Sequence, residues 1–325
     1  MKFFQDAVEV TFAGIDHVFT VSSVFCEFTV GGHEFSIKWY GVIIAFGFVL
    51  AALFGGRMAY VWKMDLNKMV DVLIYGTIGG IIGARLYYCI FQWDYYGSNL
   101  LDIFKIWEGG LAIYGGIIGG LIAAFITCKV EKLNFLNLLD LAGMSLLIGQ
   151  GIGRWGNYAN QEAFGCNTDG SYGMMSEKVS SYIINHQSSL PDVDPYTPVH
   201  PTFFYEFVWC MIGFVLLYIM CKKFRKFSGQ IILGYGIWYG AGRTVIEGLR
   251  TDSLYIGSTD IRVSQLLSAV AAVVCAVLMV VFLIKYTKHP KPIEGIDFYV
   301  EPVPFFKSNR KKAEETKEDK TEGKD

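Results

Sequence analysis

Two short runs in this chain hold the residues best suited to chemistry. The first is Gly153-Arg154-Trp155-Gly156-Asn157-Tyr158-Ala159-Asn160-Gln161-Glu162, followed by Gly165, at the end of an apolar segment. It places an arginine, two asparagines, a glutamine and a glutamate where a membrane helix should be leaving the bilayer. A charge near hydrocarbon costs about 2.5–3.5 kcal/mol on insertion scales, so such residues usually face a polar cavity. Gly149, Gly151, Gly153 and Gly156 argue against a tight, regular helix here and let backbone approach backbone or a ligand. The bland alternative is a helix end with ordinary interfacial polar residues. The density of charge, amide and glycine favours a binding site.

The second run is Gly242-Arg243-Thr244-Val245-Ile246-Glu247-Gly248-Leu249-Arg250. Spacings of four, three and seven put Arg243, Glu247 and Arg250 on one helical face. Arginine four residues before glutamate is the weaker orientation for a surface pair, so helix stabilisation explains the pattern poorly. A buried Arg–Glu–Arg face leaves one positive charge in excess, and Arg154 raises that to two unless Glu162 offsets it. The chemistry this predicts is recognition of an anion. A charge network that only locks helices together is the competing reading.

Four further residues belong to the same side of the chain. Tyr40 opens an apolar segment in Lys38-Trp39-Tyr40-Gly41, at the depth where aromatics form an interfacial belt. Arg85 lies in Gly83-Ala84-Arg85-Leu86-Tyr87-Tyr88, where Tyr87 reads as a belt residue. Tyr114 follows Trp107-Glu108-Gly109-Gly110 and sits among glycines, so its hydroxyl should be accessible inside a bundle. His200, between Pro198 and Pro201 in a run that ends at Tyr205-Glu206, is either a ligand-facing donor or a loop anchor.

The elements that position these residues follow from composition. The chain has 325 residues, 53% of them hydrophobic and only 18% charged. The apolar residues gather into runs near 20 residues long, which points to an all-α polytopic membrane protein rather than two soluble domains. Seven such segments are expected, at 39–61, 69–92, 111–128, 135–156, 203–221, 230–249 and 263–284. Basic residues follow every odd-numbered segment: Arg57, Lys63 and Lys68; Lys129 and Lys132; Lys222, Lys223, Arg225 and Lys226; Lys285, Lys288 and Lys291. By the positive-inside rule the N-terminus is external and the C-terminus cytoplasmic.

Around this seven-helix domain (39–284) the sequence predicts three smaller parts. Residues 1–38 form an external or interfacial arm, with Gly31-Gly32 turning between short strands. Residues 157–202, with Gly170, Gly173, Pro191, Pro195 and Pro198, form a small loop-rich external head. Residues 285–325 form a cytoplasmic tail, largely disordered because Lys and Glu dominate its end. The start of the chain lacks the pattern of a cleaved signal, so insertion is expected to begin at the first segment. The glycines Gly76, Gly79, Gly80 and Gly83, and Gly115, Gly116, Gly119 and Gly120, read as close packing between helices.

Several function classes are excluded. No nucleic-acid motif is present, and the seven cysteines show no C-x-x-C and no metal-ligand spacing. Cys26 and Cys166 should lie on the same side, and whether they pair stays open. No metal or redox cofactor is indicated. Gly-x-Ser-x-Gly, paired intramembrane aspartates and His-Glu-x-x-His are all missing, which argues against an intramembrane protease. A transporter or channel for an organic anion is the alternative that uses the same arginines. Its site belongs near the bilayer midplane between repeated halves, whereas these charges cluster at helix ends and no repeat is visible.

The run Gly153-Arg154 through Gln161-Glu162 and Gly165, the loop His200-Pro201-Thr202 with Tyr205-Glu206, and Gly242-Arg243 with Glu247 and Arg250 together resemble the prolipoprotein diacylglyceryl transferase family of bacteria. The similarity extends from Trp39-Tyr40-Gly41 to Ser264-Gln265. The resemblance implies a seven-helix bundle with an external head in the bacterial cytoplasmic membrane, with the active site towards the external face. It implies transfer of the diacylglyceryl group of phosphatidylglycerol to the lipobox cysteine of a prolipoprotein, forming a thioether and releasing glycerol phosphate. The partners it implies are phosphatidylglycerol, which reaches the site sideways from the lipid bilayer, and the prolipoprotein signal peptide. It casts Arg154 and Arg243 as phosphate ligands and Tyr114 and Glu247 as further catalytic residues. Asn157, Glu162, Tyr40, Arg85, Arg250 and His200 are then the wider phosphatidylglycerol site. Some relatives carry a histidine where this chain has Tyr114. Tyrosine, with a reference pKa near about 10, is a poor base at neutral pH, so Tyr114 reads as a neutral hydrogen-bond donor and the base stays unassigned.

Overall fold

Backbone N–H and C=O groups in hydrocarbon have no water to bond, so each apolar run must satisfy itself as a helix. The computed structural model describes residues 6–31, 33–251 and 262–289. The long helices follow the apolar runs closely: α1 Trp39–Val61, α2 Leu66–Phe91, then, after the short α3 Trp93–Tyr96, α4 Ile113–Glu131 and α5 Phe135–Asn160. After the head come α7 Thr202–Lys223, α8 Gln230–Glu247 and α9 Val263–Lys288; α6, Glu177–Asn185, lies within the head. Asp65 and Asn134 cap α2 and α5, their side chains accepting from the backbone N–H of Asn67 and of Leu136 and Asn137.

Six of the described helices are long and apolar enough to cross a membrane: α1, α2, α4, α5, α7 and α9. The chain is therefore a polytopic membrane protein. The remaining long helix, α8, spans 18 residues and falls short in hydropathy. Its sequence explains why: Gln230, Arg243 and Glu247 sit among Gly234, Gly236, Gly240 and Gly242. A helix this polar must face protein, and α8 packs on α9 on one side and on α5 and α7 on the other.

The bundle has two parts. In the larger, α1, α7 and α8 surround α5, and Met58, Trp62, Leu141, Met144, Leu147, Leu217 and Ile231 fill the core. The smaller is the α2–α4 pair, which packs backbone to backbone. A Cβ added at Gly83 would fall on the Gly115 carbonyl, and one at Gly119 on the Gly79 carbonyl. The small-residue reading of these glycines holds. Outward faces of α1, α2, α4 and α9 are apolar; on α9 only Met279 is buried.

The arm and head are not the separate parts the sequence suggests. Strand β1 (Val8–Phe12) pairs antiparallel with β2 (Ile15–Val21) on one side and with β5 (Met174–Ser176), a head strand, on the other. Val10, Met174, Val179, Ile183 and Val199 share one core with Phe203 of α7. The hairpin of β3 (Val24–Val30) and β4 (His33–Lys38) turns at Gly31, as expected, and leads directly into α1. Cys26 is buried in that hairpin and Cys166 is exposed on the head, and both thiols are free. The expected tail, 285–325, starts later than expected, because α9 continues to Lys288; the rest of it, beyond residue 289, lies outside the described residues.

Candidate functional site

The first chemical run is an unbroken part of α5, which continues to Asn160. The expectation of an irregular helix here is corrected. Unpaired backbone at the membrane costs more than the entropy glycine loses in a helix, so the helix persists and the glycines serve contact instead. Gly151 lies against Cys210 and Met211 of α7, and Gly156 carries the ring of Tyr40 from α1. The helix then ends at a left-handed Gln161 (φ 52°), and Ala163 (φ 55°) is left-handed as well. Non-glycine residues there cost about 1–2 kcal/mol each. This turn swings Glu162 back over the helix end, where its Oε1 accepts from Asn157 Nδ2 at 3.0 Å and Asn160 Nδ2 at 3.3 Å.

Arg154 points from α5 towards α7. Its Nε lies 2.8 Å from Glu206 Oε2, and its Nη1 donates to Asn157 Oδ1 at 3.4 Å. From α8, Arg243 Nη1 donates to the other oxygen of the same carboxylate, Glu206 Oε1, at 2.9 Å. Arg243 Nη2 is 2.7 Å from Glu247 Oε2 as an ion pair, though not aligned as a hydrogen bond. Ser264 of α9 donates to Glu247 Oε1 at 2.6 Å, and Arg262 donates to the Glu247 carbonyl. A continuous charged chain thus runs Glu162–Asn157–Arg154–Glu206–Arg243–Glu247–Ser264 across four helices. The Glu206 side chain is 5% exposed, while those of Arg154 and Arg243 keep 20% and 17%. The arginines open towards the surroundings and the carboxylate between them does not.

Glu206 is the residue the sequence reading passed over. It appeared in the resemblance as part of Tyr205-Glu206 but not among the site residues. The signal was available: a carboxylate one turn inside an apolar segment has to meet a cation. Its presence also corrects the charge balance, because Arg154 and Arg243 are matched by Glu206 and Glu247, with no excess of two.

A tryptophan clasp between α7 and α8 sets the distance between Glu206 and Arg243. Trp209 Nε1 donates to the Trp238 carbonyl and Trp238 Nε1 to the Trp209 carbonyl, both at 2.9 Å, with the rings stacked 4.3 Å apart. Each ring lies over a glycine of the other helix, Gly242 and Gly213. The two helices carry the same spacing, Trp209-x-x-x-Gly213 and Trp238-x-x-x-Gly242, a reciprocal pattern that was readable and was not read.

The other expected residues fall in different places. Tyr40 reaches the group through Gly156. Arg250 does not share the α8 face, because the helix ends at Glu247 and Arg250 pairs through its backbone with Gly165. His200 also aligns with that strand-like segment, accepting from Gly165 N–H at 2.9 Å, and its Nδ1 is 3.1 Å from the Tyr205 hydroxyl. Burial lowers the His200 pKa and favours the neutral ring. This geometry gives His200 the loop-anchoring place.

Arg85 is the clearest departure. It is buried, and its guanidinium donates to the carbonyls of Ile103, Gly109, Gly110, Asp102 and Lys105. These five acceptors saturate the fork, so Arg85 folds the connection before α4. Tyr114, in the first turn of α4, is 44% exposed. Among the described residues no hydrogen bond or ion pair joins it to the Arg154 group.

Residues 28–281 match the family described as prolipoprotein diacylglyceryl transferase. A protein of Listeria monocytogenes serovar 1/2a named phosphatidylglycerol–prolipoprotein diacylglyceryl transferase is 47% identical over 234 residues, covering 72% of this chain and 81% of the relative. Proteins of the same name from Limosilactobacillus reuteri and Staphylococcus haemolyticus are 41% and 39% identical, covering 77% and 80% of this chain and 88% of each relative.

Proposed function

The chain belongs to the prolipoprotein diacylglyceryl transferase family, and from that premise we propose how its charged chain carries out the transfer. The protein is a transferase of lipoprotein maturation, moving the diacylglyceryl group of phosphatidylglycerol to a prolipoprotein. In our reading the acceptor is the lipobox cysteine thiol, the bond formed is a thioether and the leaving group is glycerol phosphate. Arg154 and Arg243 seat the lipid phosphate.

One observation carries this assignment: two guanidiniums from different helices converge on the two oxygens of one buried carboxylate, Glu206. A phosphate offers two oxygens to the same pair of forks. The diester carries one negative charge and approaches two as it leaves. Arginines held in place therefore bind it more tightly as the bond breaks, and differential stabilisation of this kind is catalysis. Asn157 and Glu162 orient Arg154, Glu247 orients Arg243, and Tyr40 closes the side facing α1. Tyr114 serves as a neutral donor to substrate.

The rest of the arrangement is proposed on the same footing. The spans number seven, with α8 the one that lipid does not touch, the N-terminus external and the C-terminus cytoplasmic, following the basic loops. The site faces outward from the bacterial cytoplasmic membrane, and the arm and head cover it. The lipid comes in sideways from the bilayer.

The test is transfer of labelled diacylglycerol from phosphatidylglycerol vesicles to a lipobox peptide. Wild type transfers label, and Tyr114→Phe slows transfer by about 10-fold or more, as loss of one positioned donor does. A Tyr114→Phe protein of full activity removes its hydroxyl from the reaction. Folded wild type that transfers nothing, and instead binds a soluble organic anion saturably, supports the transporter reading.

A further inference from the structure

The reaction needs the thiol proton removed, since the thiolate is the nucleophile and a free cysteine has a pKa near about 8.5. Three carboxylates stand in the charged chain, and their partners differ. Glu162 is exposed at the rim on two asparagines. Glu247 is clamped by Arg243, by the Ser264 hydroxyl and, through its carbonyl, by Arg262. Among the described residues, Glu206 has no hydrogen-bond or ion-pair partner other than Arg154 and Arg243. When a phosphate takes those two guanidiniums, Glu206 alone loses everything that holds it.

Resting on the transferase reading, we propose that Glu206 occupies the phosphate seat in the free enzyme and, once the lipid phosphate displaces it, accepts the proton of the substrate thiol. Loss of its cations drives the exchange. At rest the two arginines offset Glu206 and Glu247. A phosphodiester that takes both guanidiniums leaves the Glu206 carboxylate, only 5% exposed, without a cation, and an unpaired buried charge is costly. A proton on Glu206 removes that charge; the incoming thiol carries one, and the negative charge passes through the sulfur to the leaving phosphate, where the arginines hold it. The other groups near Glu206 do not take its place. Tyr239 of α8 is a half-buried phenol and Cys210 of α7 a buried thiol, neither of them a carboxylate, and Glu247 stays tied to α9.

The step balances. The S–H bond breaks and its proton passes to a Glu206 oxygen, directly or through one water. The sulfur lone pair forms the C–S bond at the glyceryl CH2, and the C–O bond to phosphate breaks with its electron pair going to oxygen. Glycerol phosphate is then a dianion on the two arginines. Glu206 returns the proton to it, regains both guanidiniums and expels the monoanion. The resting ion pairs are in this account the product-release state as well as the vacant site.

Glu206→Gln keeps the shape and removes the ability to take a proton. At pH 7 its kcat for transfer to the lipobox peptide is expected to fall by about 10²–10⁴-fold, the usual contribution of a general base. The KM for phosphatidylglycerol should not rise, because the competing anion is gone. The deficit should shrink as pH approaches the thiol pKa, and a selenocysteine peptide, already ionised at neutral pH, should recover most of the lost rate. Glu206→Asp retains a carboxylate and should keep the wild-type pH profile at a lower rate, which serves if Glu206→Gln does not fold. A deficit that is constant across pH and untouched by the selenol, or an Asp variant with the pH profile expected of the Gln variant, overturns the proposal and leaves Glu206 a positioning residue. Wild type that transfers label while Glu206→Gln matches it at pH 7 also overturns it. Wild type that transfers none defeats the transferase reading itself.

Discussion

Two arginine–carboxylate groups stand at opposite ends of α5. At the Arg154 end, Glu206 bridges two arginines that remain partly open. At the other end, Arg225 bonds Asp140 through Nε at 3.0 Å and Nη2 at 2.6 Å, and both side chains are 0% exposed. Asp140 also accepts the backbone N–H groups of Gly229, Ile231 and Ile232, and Asn137 Oδ1 accepts from Arg225 Nη2. Trp62 closes the face of the guanidinium at 4.4 Å. The sealed group has every acceptor taken and fixes the start of α8 against α5. In the open group Arg154 and Arg243 share Glu206, which among the described residues nothing else holds. Full burial on a carboxylate whose acceptors are all taken makes a fastener, although Arg225 Nη1 finds no hydrogen bond among the described residues, whereas partial exposure with a displaceable partner suits a site.

The sharpest way to break this contrast is to delete one cation from each group. Arg225→Ala leaves Asp140 buried and unpaired and should cost about 3–5 kcal/mol of stability, read as a drop in the unfolding midpoint in detergent. Arg154→Ala leaves Glu206 paired with Arg243, so it should unfold nearer wild type while transfer falls by about 10²–10³-fold. A folded, stable Arg225→Ala protein would erase the distinction. Between the two parts of the bundle, Gly119→Leu should force α2 and α4 apart at a cost of about 1–3 kcal/mol with a lowered unfolding midpoint. Arg154→Lys sharpens the contrast from the other side: it keeps charge but loses the fork, and should slow transfer by about 10-fold, well short of the alanine loss.

The smallest effect belongs to the arm. Asp6 accepts from the hydroxyls of Ser22 and Ser23 and from Val24 N–H. Burial alone would raise its pKa, but those hydrogen bonds outweigh it and hold Asp6 at about 2, against an ordinary 3.8. A depressed carboxylate stabilises the fold above its ordinary pKa and loses that contribution as pH falls towards its folded value. Protection of the arm's amides from hydrogen exchange should therefore weaken between about pH 4 and 2, and Asp6→Asn should abolish that pH dependence.

The sequence revealed the helices well because each apolar run has one way to satisfy its backbone in lipid. The run at 39–61 matches α1 at both ends, and 230–249 exceeds α8 by two residues. Charged residues were harder, because type and segment do not say what a side chain meets. Arg85 and Arg225 read as a ligand and a loop charge, yet one folds a connection on five carbonyls and the other is sealed in the core. Arg154, Arg243 and Glu247 came together as expected, since their helices had to hide those charges from lipid. Glu206 in an apolar segment and the repeated Trp-x-x-x-Gly spacing were readable as signals, but which cation and which helix they meet was not, because one helix's periodicity carries no register with its neighbour. The glycines of α5 misled for the same reason, since their neighbours Tyr40, Cys210 and Met211 come from other segments.

Arg154 and Arg243 are proposed to form one phosphate seat. A double-mutant cycle on transfer from phosphatidylglycerol to a lipobox peptide, comparing Arg154→Ala, Arg243→Ala and the pair, tests it most directly. Groups that act as a unit are strongly non-additive, so the double variant should be about as slow as the slower single one. A double variant whose loss equals the product of the two single losses would mean independent roles, and would contradict the shared seat.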